Sequence, residues 1–245
     1  MRILLTVAYD GSEYYGWQRQ KDFMTVQQRL EEALSTLLKK EITVRGASRT
    51  DTGVHSLGQR AVFTDNTLTI PTEKIPLAVN SFLPDDIVVT DAVEVDENFH
   101  PQYSVTDKTY EYKILNSKYK NPLLVRYTEF IRPKLNILAM RAACPYFLGE
   151  HNFKAFCATG GSSKTTVRTI YSLDIEEDGD IIIIRINGNG FLYNMVRIIA
   201  GTLVYVGLGK IKADDIGDII ESLDRTRAGK TLSPNGLTLM EVNYE

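Results

Sequence analysis

With 43% hydrophobic and 24% charged residues, a chain of 245 residues has the makeup of an ordinary soluble globular protein, long enough for one large domain or two small ones. Its two cysteines, Cys144 and Cys157, have no second pair and no metal-like spacing, which predicts a reduced cytoplasmic protein without a disulfide framework. A net charge of −3 argues weakly against a nucleic-acid partner, and apolar runs that are short or interrupted argue against a membrane one.

The pattern of residues predicts six elements in the first part of the chain. Residues 3–9 read as a strand. Thr25 opens a helix with Gln28 three positions later, a capping-box signal, and Val26, Leu30, Ala33, Leu34, Leu37 and Leu38 keep one face apolar. Strands follow near 41–46 and 57–65, then a helix near 72–81 and a strand near 86–95. The order is β-α-β-β-α-β.

The second part repeats it loosely. TYEYKILN alternates as a strand, and Asn136 to Phe147 has helical spacing. Strands fit 167–176 and 180–187 around the turn EEDGD, helices fit 190–206 and 212–225, and LTLMEVNY closes the chain as a strand. The apolar run from Phe191 to Val206 carries Asn194 and Arg197, so it reads as a buried helix rather than a membrane span. The fold class predicted is α/β (α+β): two related β-α-β-β-α-β halves, 1–103 and 104–245, with largely antiparallel sheets side by side and an active-site cleft between them.

The charges are segregated. From Tyr103 to Ile170 there are eleven Lys and Arg against four Asp and Glu, whereas Thr64 to Asn98 holds eight acids and one Lys. A polarised surface of this kind can bind a polyanion on one side. Lys108, Lys113, Lys118, Lys120, Arg126, Lys154 and Lys164 are the candidate phosphate contacts.

The stretch ASRTDTGVHS, residues 47–56, lies between two predicted strands and places Arg49 two residues before Asp51. Asp, Thr and Gly are turn formers, so a plain turn is one reading. Asp51-Thr52-Gly53 also spells an aspartic-protease triplet, but that chemistry needs two carboxylates sharing a proton, and the triplet occurs once. A nearby guanidinium favours the ionised carboxylate instead, which suits nucleophilic or electrostatic work on an anionic substrate. His55, His100 and His151 have no metal-ligand spacing, and no metal is predicted. YYGWQRQ, KTYEYK and GFLYNMVR interleave aromatics with basic and amide side chains, as an RNA-binding cleft would for stacking and phosphate contacts.

Taken together, these stretches resemble the tRNA pseudouridine synthase A family, whose loop runs close to G-R-T-D-A-G-V-H-A. Here it reads SRTDTGVHS, with Ser48, Thr52 and Ser56 as small-for-small departures that leave Arg49, Asp51, Gly53 and His55 in place. YDGSEYYGWQRQ, TVQQRLEEAL, FHPQYS, KTYEYKI, GEHNFKAF, VRTI and FLYNMVRIIAGTL extend the resemblance over nearly the whole chain, in order.

The resemblance implies an isomerase that converts uridine to pseudouridine at positions 38–40 of the tRNA anticodon stem-loop, a cytoplasmic homodimer needing no cofactor and no metal. It implies that Asp51 is the catalytic carboxylate, attacking the sugar, attacking the base or removing a sugar proton. Tyr110 matches the residue that stacks on the target base, Arg197 the partner of the carboxylate, and Arg49 a residue that helps extrude the base or hold a phosphate. Trp17, Lys113, Lys118 and Lys120 are further expected RNA contacts. A pseudouridine synthase of the same fold acting on another RNA and a tRNA-binding chaperone are the rival readings.

Overall fold

The structure is a computed structural model and describes residues 1–161 and 163–245. In chain order its main elements are β1 (Arg2–Tyr9), α1 (Val26–Leu38), β2 (Arg45–Gly46), β3 (His55–Thr64), α2 (Ile75–Asn80), β4 (Ile87–Val95), β5 (Val105–Leu115), β6 (Glu129–Phe130), α3 (Ile137–Ala143), β7 (Gly149–Asn152), β8 (Val167–Asp178), β9 (Ile181–Gly188), α4 (Met195–Gly207), α5 (Asp215–Ser222) and β10 (Leu237–Tyr244). The chain divides into two compact units, Met1–Thr106 with Thr238–Glu245, and Asp107–Leu237. The last strand, which its sequence position puts in the second half, thus belongs to the first unit. Thr238 and Leu239 pair in parallel with His55 and Ser56 at the start of β3.

In the first unit the strands run in the order β4-β1-β3-β10, with β2 on β3. β1 is antiparallel to both β3 and β4. Alternation puts Ile3, Leu5, Val7 and Tyr9 on one face, where they meet Ala61 and Phe63 of β3, Val26, Leu30 and Leu34 of α1, and Ile75 and Val79 of α2. Thr25 caps α1 as its sequence predicts, its hydroxyl accepting from the Gln28 N–H. The strand expected over 41–46 shrinks to two residues, because α1 takes the backbone groups it would need. The Ile42 N–H donates to the Ser35 hydroxyl, the Val44 N–H to Glu31, and Gln27 donates to the Val44 carbonyl.

In the second unit the order is β5-β9-β8-β7, with β6 on β5. The neighbour order β5-β9-β8 repeats β1-β3-β2, the signature of the split β-α-β unit. α4 is buried along nearly its whole length and packs closely on α3: a Cβ on Gly207 would stand 2.8 Å from Met140 Sδ. Both α4 and α5 are shorter than expected for a backbone reason. Asn194 sits in the left-handed region at φ 61 and delays α4 to Met195, and Leu223, at φ 55, ends α5. The brief strands β6 and β7 are too short to leave a periodic signal.

Candidate active site

The loop that carries Asp51 leaves β2 at Gly46 and enters β3 at His55, and buried partners fix it at both ends. At its start, the fully buried Gln59 side chain donates to the Ser48 carbonyl at 2.7 Å and accepts from the Ser48 N–H at 3.2 Å. The Ala47 N–H donates to the Arg60 carbonyl. At its end, the Val54 N–H donates to the Asp51 carbonyl at 3.1 Å, and Gly53 takes φ +79. An i to i+3 bond with a positive φ at the third position is the type II turn, and glycine is the residue that adopts that conformation without strain. Asp51 is therefore the first residue of a tight turn, with its side chain half-buried, and Arg49 is exposed two residues before it. The turn expected from ASRTDTGVHS is thus formed, and it carries Asp51.

A second segment, residues 9–17, lies against this loop. Tyr9 Oη and Thr50 Oγ1 share a hydrogen bond of 2.7 Å, with both side chains buried. The Gly53 N–H donates to the Tyr14 carbonyl, and the Trp17 N–H to the Thr50 carbonyl. The Gly11 N–H donates to His55 Nδ1 at 3.1 Å. Asp10 Oδ1, 3.1 Å from the same nitrogen, holds the Ser12 N–H and hydroxyl. The approach is close enough to demand glycine: a Cβ on Gly11 would stand 2.0 Å from the Val54 carbonyl oxygen.

This changes the reading of YYGWQRQ. Its aromatics are mainly a scaffold for the loop rather than a stacking surface. Trp17, expected to contact RNA, is only 2% exposed, packs against Tyr9 with ring centroids 6.0 Å apart, and covers Gly46. Its burial in the core leaves no face for a base, so the expectation is corrected. Tyr15 is exposed in the same segment, with Phe23 at 4.3 Å between ring centroids.

The other expected site residues belong to the second unit. Tyr110 lies on β5 opposite Ile186, 7% exposed, and its ring meets Phe191 edge to face at 5.2 Å. Tyr112, two residues on, donates its hydroxyl to the Ser233 carbonyl at 2.7 Å, and burial holds its ionisation well above the usual tyrosine range. Arg197 lies in the first turn of α4. Its Nε donates to the Leu232 carbonyl at 2.7 Å and its Nη1 to Asn194 Oδ1 at 2.6 Å. The left-handed backbone of Asn194 thus both starts the helix and brings an acceptor to the guanidinium.

Lys113 is half-buried and lies 3.6 Å from Glu111, a carboxylate that also holds Arg185 at 2.5 Å. Much of its charge is directed at a protein carboxylate. Lys118 and Lys120 are exposed in the loop after β5, over the rings of Tyr119 and Phe130 at 5.2 and 5.8 Å. Lys120 also lines a pocket of about 270 Å³ with Phe130, Glu129, Thr128 and Asn235. Among the described residues, no group of three or more His, Cys, Asp or Glu is arranged to hold a metal ion, and no helix is long and apolar enough to cross a membrane.

The family model for tRNA pseudouridine synthase matches residues 5–104 and 143–245. The chain belongs to that family. The tRNA pseudouridine synthase A of Thermoanaerobacter sp. (strain X514) is 52% identical over 242 residues, 99% of each chain. Those of Caldicellulosiruptor bescii and Ruminiclostridium cellulolyticum are 49% and 48% identical, again over 99% of each chain. As a member of the family, the chain is an isomerase that turns uridine into pseudouridine. The matched stretches include Arg49, Asp51 and Arg197, whereas Tyr110, Lys113, Lys118 and Lys120 fall between them.

The sequence reading missed the residues that hold the loop: Gln59, Thr50, Tyr9 and the Tyr14 carbonyl. Gly11 and Gly16 were the available signal. Two glycines inside an aromatic-rich segment mark close backbone approaches, here to Val54 and to Thr50.

Proposed function

We propose that this chain forms pseudouridine in the anticodon stem-loop of tRNA, at positions 38–40, with Asp51 as the essential carboxylate. The observation that carries the reading is the construction of the Asp51 turn. Buried side chains and two close backbone approaches fix the turn that carries the half-buried Asp51, with an exposed arginine two residues before it and the turn glycine two residues after. Fixing a catalytic group before the substrate arrives lowers the entropic cost of reaching the transition state.

The reaction is an isomerisation in which no atom is gained or lost. The bond from ribose C1′ to N1 breaks, the uracil turns within the site, and C1′ bonds to C5. The C5 proton is then lost and N1 gains one. Redox neutrality and a leaving group that remains in the site make a cofactor unnecessary. The carboxylate serves at the sugar, at the base, or as the base that takes a sugar proton. A stacked uridine is out of reach of all three, so the nucleotide leaves its stack first. Arg49, on the approach to Asp51, holds a phosphate or the displaced strand. Tyr110 supports the target base, its ring set by Phe191, and Arg197 acts on the carboxylate with its guanidinium preset by Asn194 and Leu232. The protein works as a cytoplasmic homodimer, with exposed Lys118 and Lys120 adding phosphate contacts.

The test is a pseudouridine map of unmodified tRNA before and after treatment with the pure protein. New pseudouridines confined to positions 38–40 support the reading. Conversion elsewhere in tRNA or only in ribosomal RNA assigns another substrate, and binding without conversion favours a chaperone.

A further inference from the structure

Beyond Tyr110, the sheet of the second unit carries a second arrangement. Cross-strand register puts Lys108 of β5 opposite Gly188 of β9, and Gly188 opposite Ile170 of β8. Residues paired in this way point to the same face, and so do residues two apart on one strand. Lys108, Gly188, Ile170 and Arg168 therefore share the face of Tyr110 and Ile186. Asn189 donates its N–H to the Thr169 carbonyl, which brings Gly190 beside Arg168. A Cβ on Gly190 would stand 3.5 Å from Arg168 Nε, and one on Gly188 would stand 3.5 Å from the Phe191 ring. Between the two cations the middle strand thus presents only glycine backbone on this face. Phe191, edge-on to Tyr110, closes the end nearest the base-supporting tyrosine.

Lys108 and Arg168 stand on the two outer strands, to either side of Gly188, which adds no side chain of its own between them, and neighbouring strands lie about 4.8 Å apart. Arg168 is held by the backbone just before it, its Nη1 donating to the Thr165 and Val167 carbonyls at 3.0 and 2.5 Å. Burial draws the Lys108 ammonium down to about 8, with the neighbouring Arg168 charge adding to the effect, and burial also lowers Arg168. Like charges held together in a partly desolvated place favour an anion between them.

We propose that Lys108 and Arg168, above Gly188 and Gly190, form a binding subsite for one backbone phosphate of the RNA, next to the nucleotide that Tyr110 supports. The proposal rests on the reading that the chain acts on RNA. The subsite sets the position of the strand along β5, so that the extruded base reaches the tyrosine ring. Its ligand is a phosphodiester, and it reads no base.

The test compares wild type with Lys108→Gln, Arg168→Gln and the double variant on an anticodon stem-loop RNA, measuring affinity against salt and single-turnover conversion. Each single variant is expected to bind about tenfold more weakly, the loss of one charge-assisted hydrogen bond. Each should also lower the salt slope of log affinity by roughly 0.7 to 0.9. The loss should fall on kcat/KM, with little change in kcat. A shared phosphate makes the double variant no worse in slope than either single one. One methylphosphonate linkage in the RNA should weaken wild type and leave Lys108→Gln unaffected. If Arg168→Gln fails to fold, Lys108→Gln with the methylphosphonate series decides alone. Unchanged salt slopes in variants of a wild type that converts the RNA overturn the subsite and leave the function standing. Additive slopes in the double variant mean two separate phosphates and overturn the shared site. A wild type that converts no RNA overturns the function and the subsite together.

Discussion

Tyr9 Oη and Thr50 Oγ1 lie 2.7 Å apart in the buried part of the first unit, so the last residue of β1 holds the residue next to Asp51. The bond ties the loop to a core strand through two buried side chains. Removing the Tyr9 hydroxyl leaves Thr50 without this partner. Tyr9→Phe is expected to cost about 1 kcal/mol of folding stability, the usual net worth of one hydrogen bond. It should lower kcat several-fold with tRNA affinity nearly unchanged, because the loop loses its fixed position while the RNA-facing surface stays. Denaturant titration and single-turnover conversion check the two effects. Full kcat in a destabilised variant would mean that the bond serves the core alone.

The hydroxyl and the ring of Tyr110 make separable contributions. Tyr110→Phe keeps the edge-to-face contact with Phe191 and should keep tRNA affinity, while slowing the loss of the C5 proton. Tyr110→Leu removes the ring and should lose affinity as well, by up to about 1 to 3 kcal/mol for a stacked base. Tritium release from 5-labelled uridine, followed together with filter binding, separates the two. Equal rates for wild type and Tyr110→Phe would restrict the residue to support of the base.

How far the sequence carries depends on the kind of feature. Long periodic elements were legible: β1, α1, β8, β9 and β10 lie within one or two residues of their expected positions. The segment 41–46 was not, because its backbone groups are taken by Ser35, Glu31 and Gln27 of α1, and such a bond leaves no mark in the local pattern. Asp51, Arg49 and Arg197 were singled out as candidates through motif spacing and resemblance, which point to a residue type at a position. What holds each residue was hidden, since Gln59, Tyr9 and Asn194 act through contacts that depend on the folded chain. Trp17 was misread for the same reason. An aromatic among glycines and basic residues looks the same in sequence whether its ring faces solvent or Gly46.

Acid should remove a defined part of the first unit's stability. Burial raises the Asp65 carboxyl, but the Lys40 ammonium and the N–H and hydroxyl of Thr67 outweigh it and hold the group below the usual carboxylate range. A carboxyl depressed in the folded state contributes stability above its unfolded value, near 3.9, and loses it as pH falls through the folded value. Asp65→Asn should therefore cost about 1 kcal/mol at neutral pH, a modest figure because the Lys40 side chain is 38% exposed. The difference from wild type should shrink below about pH 4. Thermal melts of both proteins across that range check it, and a constant difference would rule out the ion pair as its source.

The central claim is that Asp51 performs the chemistry and that RNA binding does not depend on it. Asp51→Asn preserves the size of the side chain and removes its charge, leaving the turn bond from Val54 to the Asp51 carbonyl in place. The most direct measurement is single-turnover conversion of tRNA by Asp51→Asn, with affinity determined on the same preparation. Conversion should fall to background while affinity changes by less than about 1.4 kcal/mol, a tenfold effect. Conversion near the wild-type rate would contradict the account.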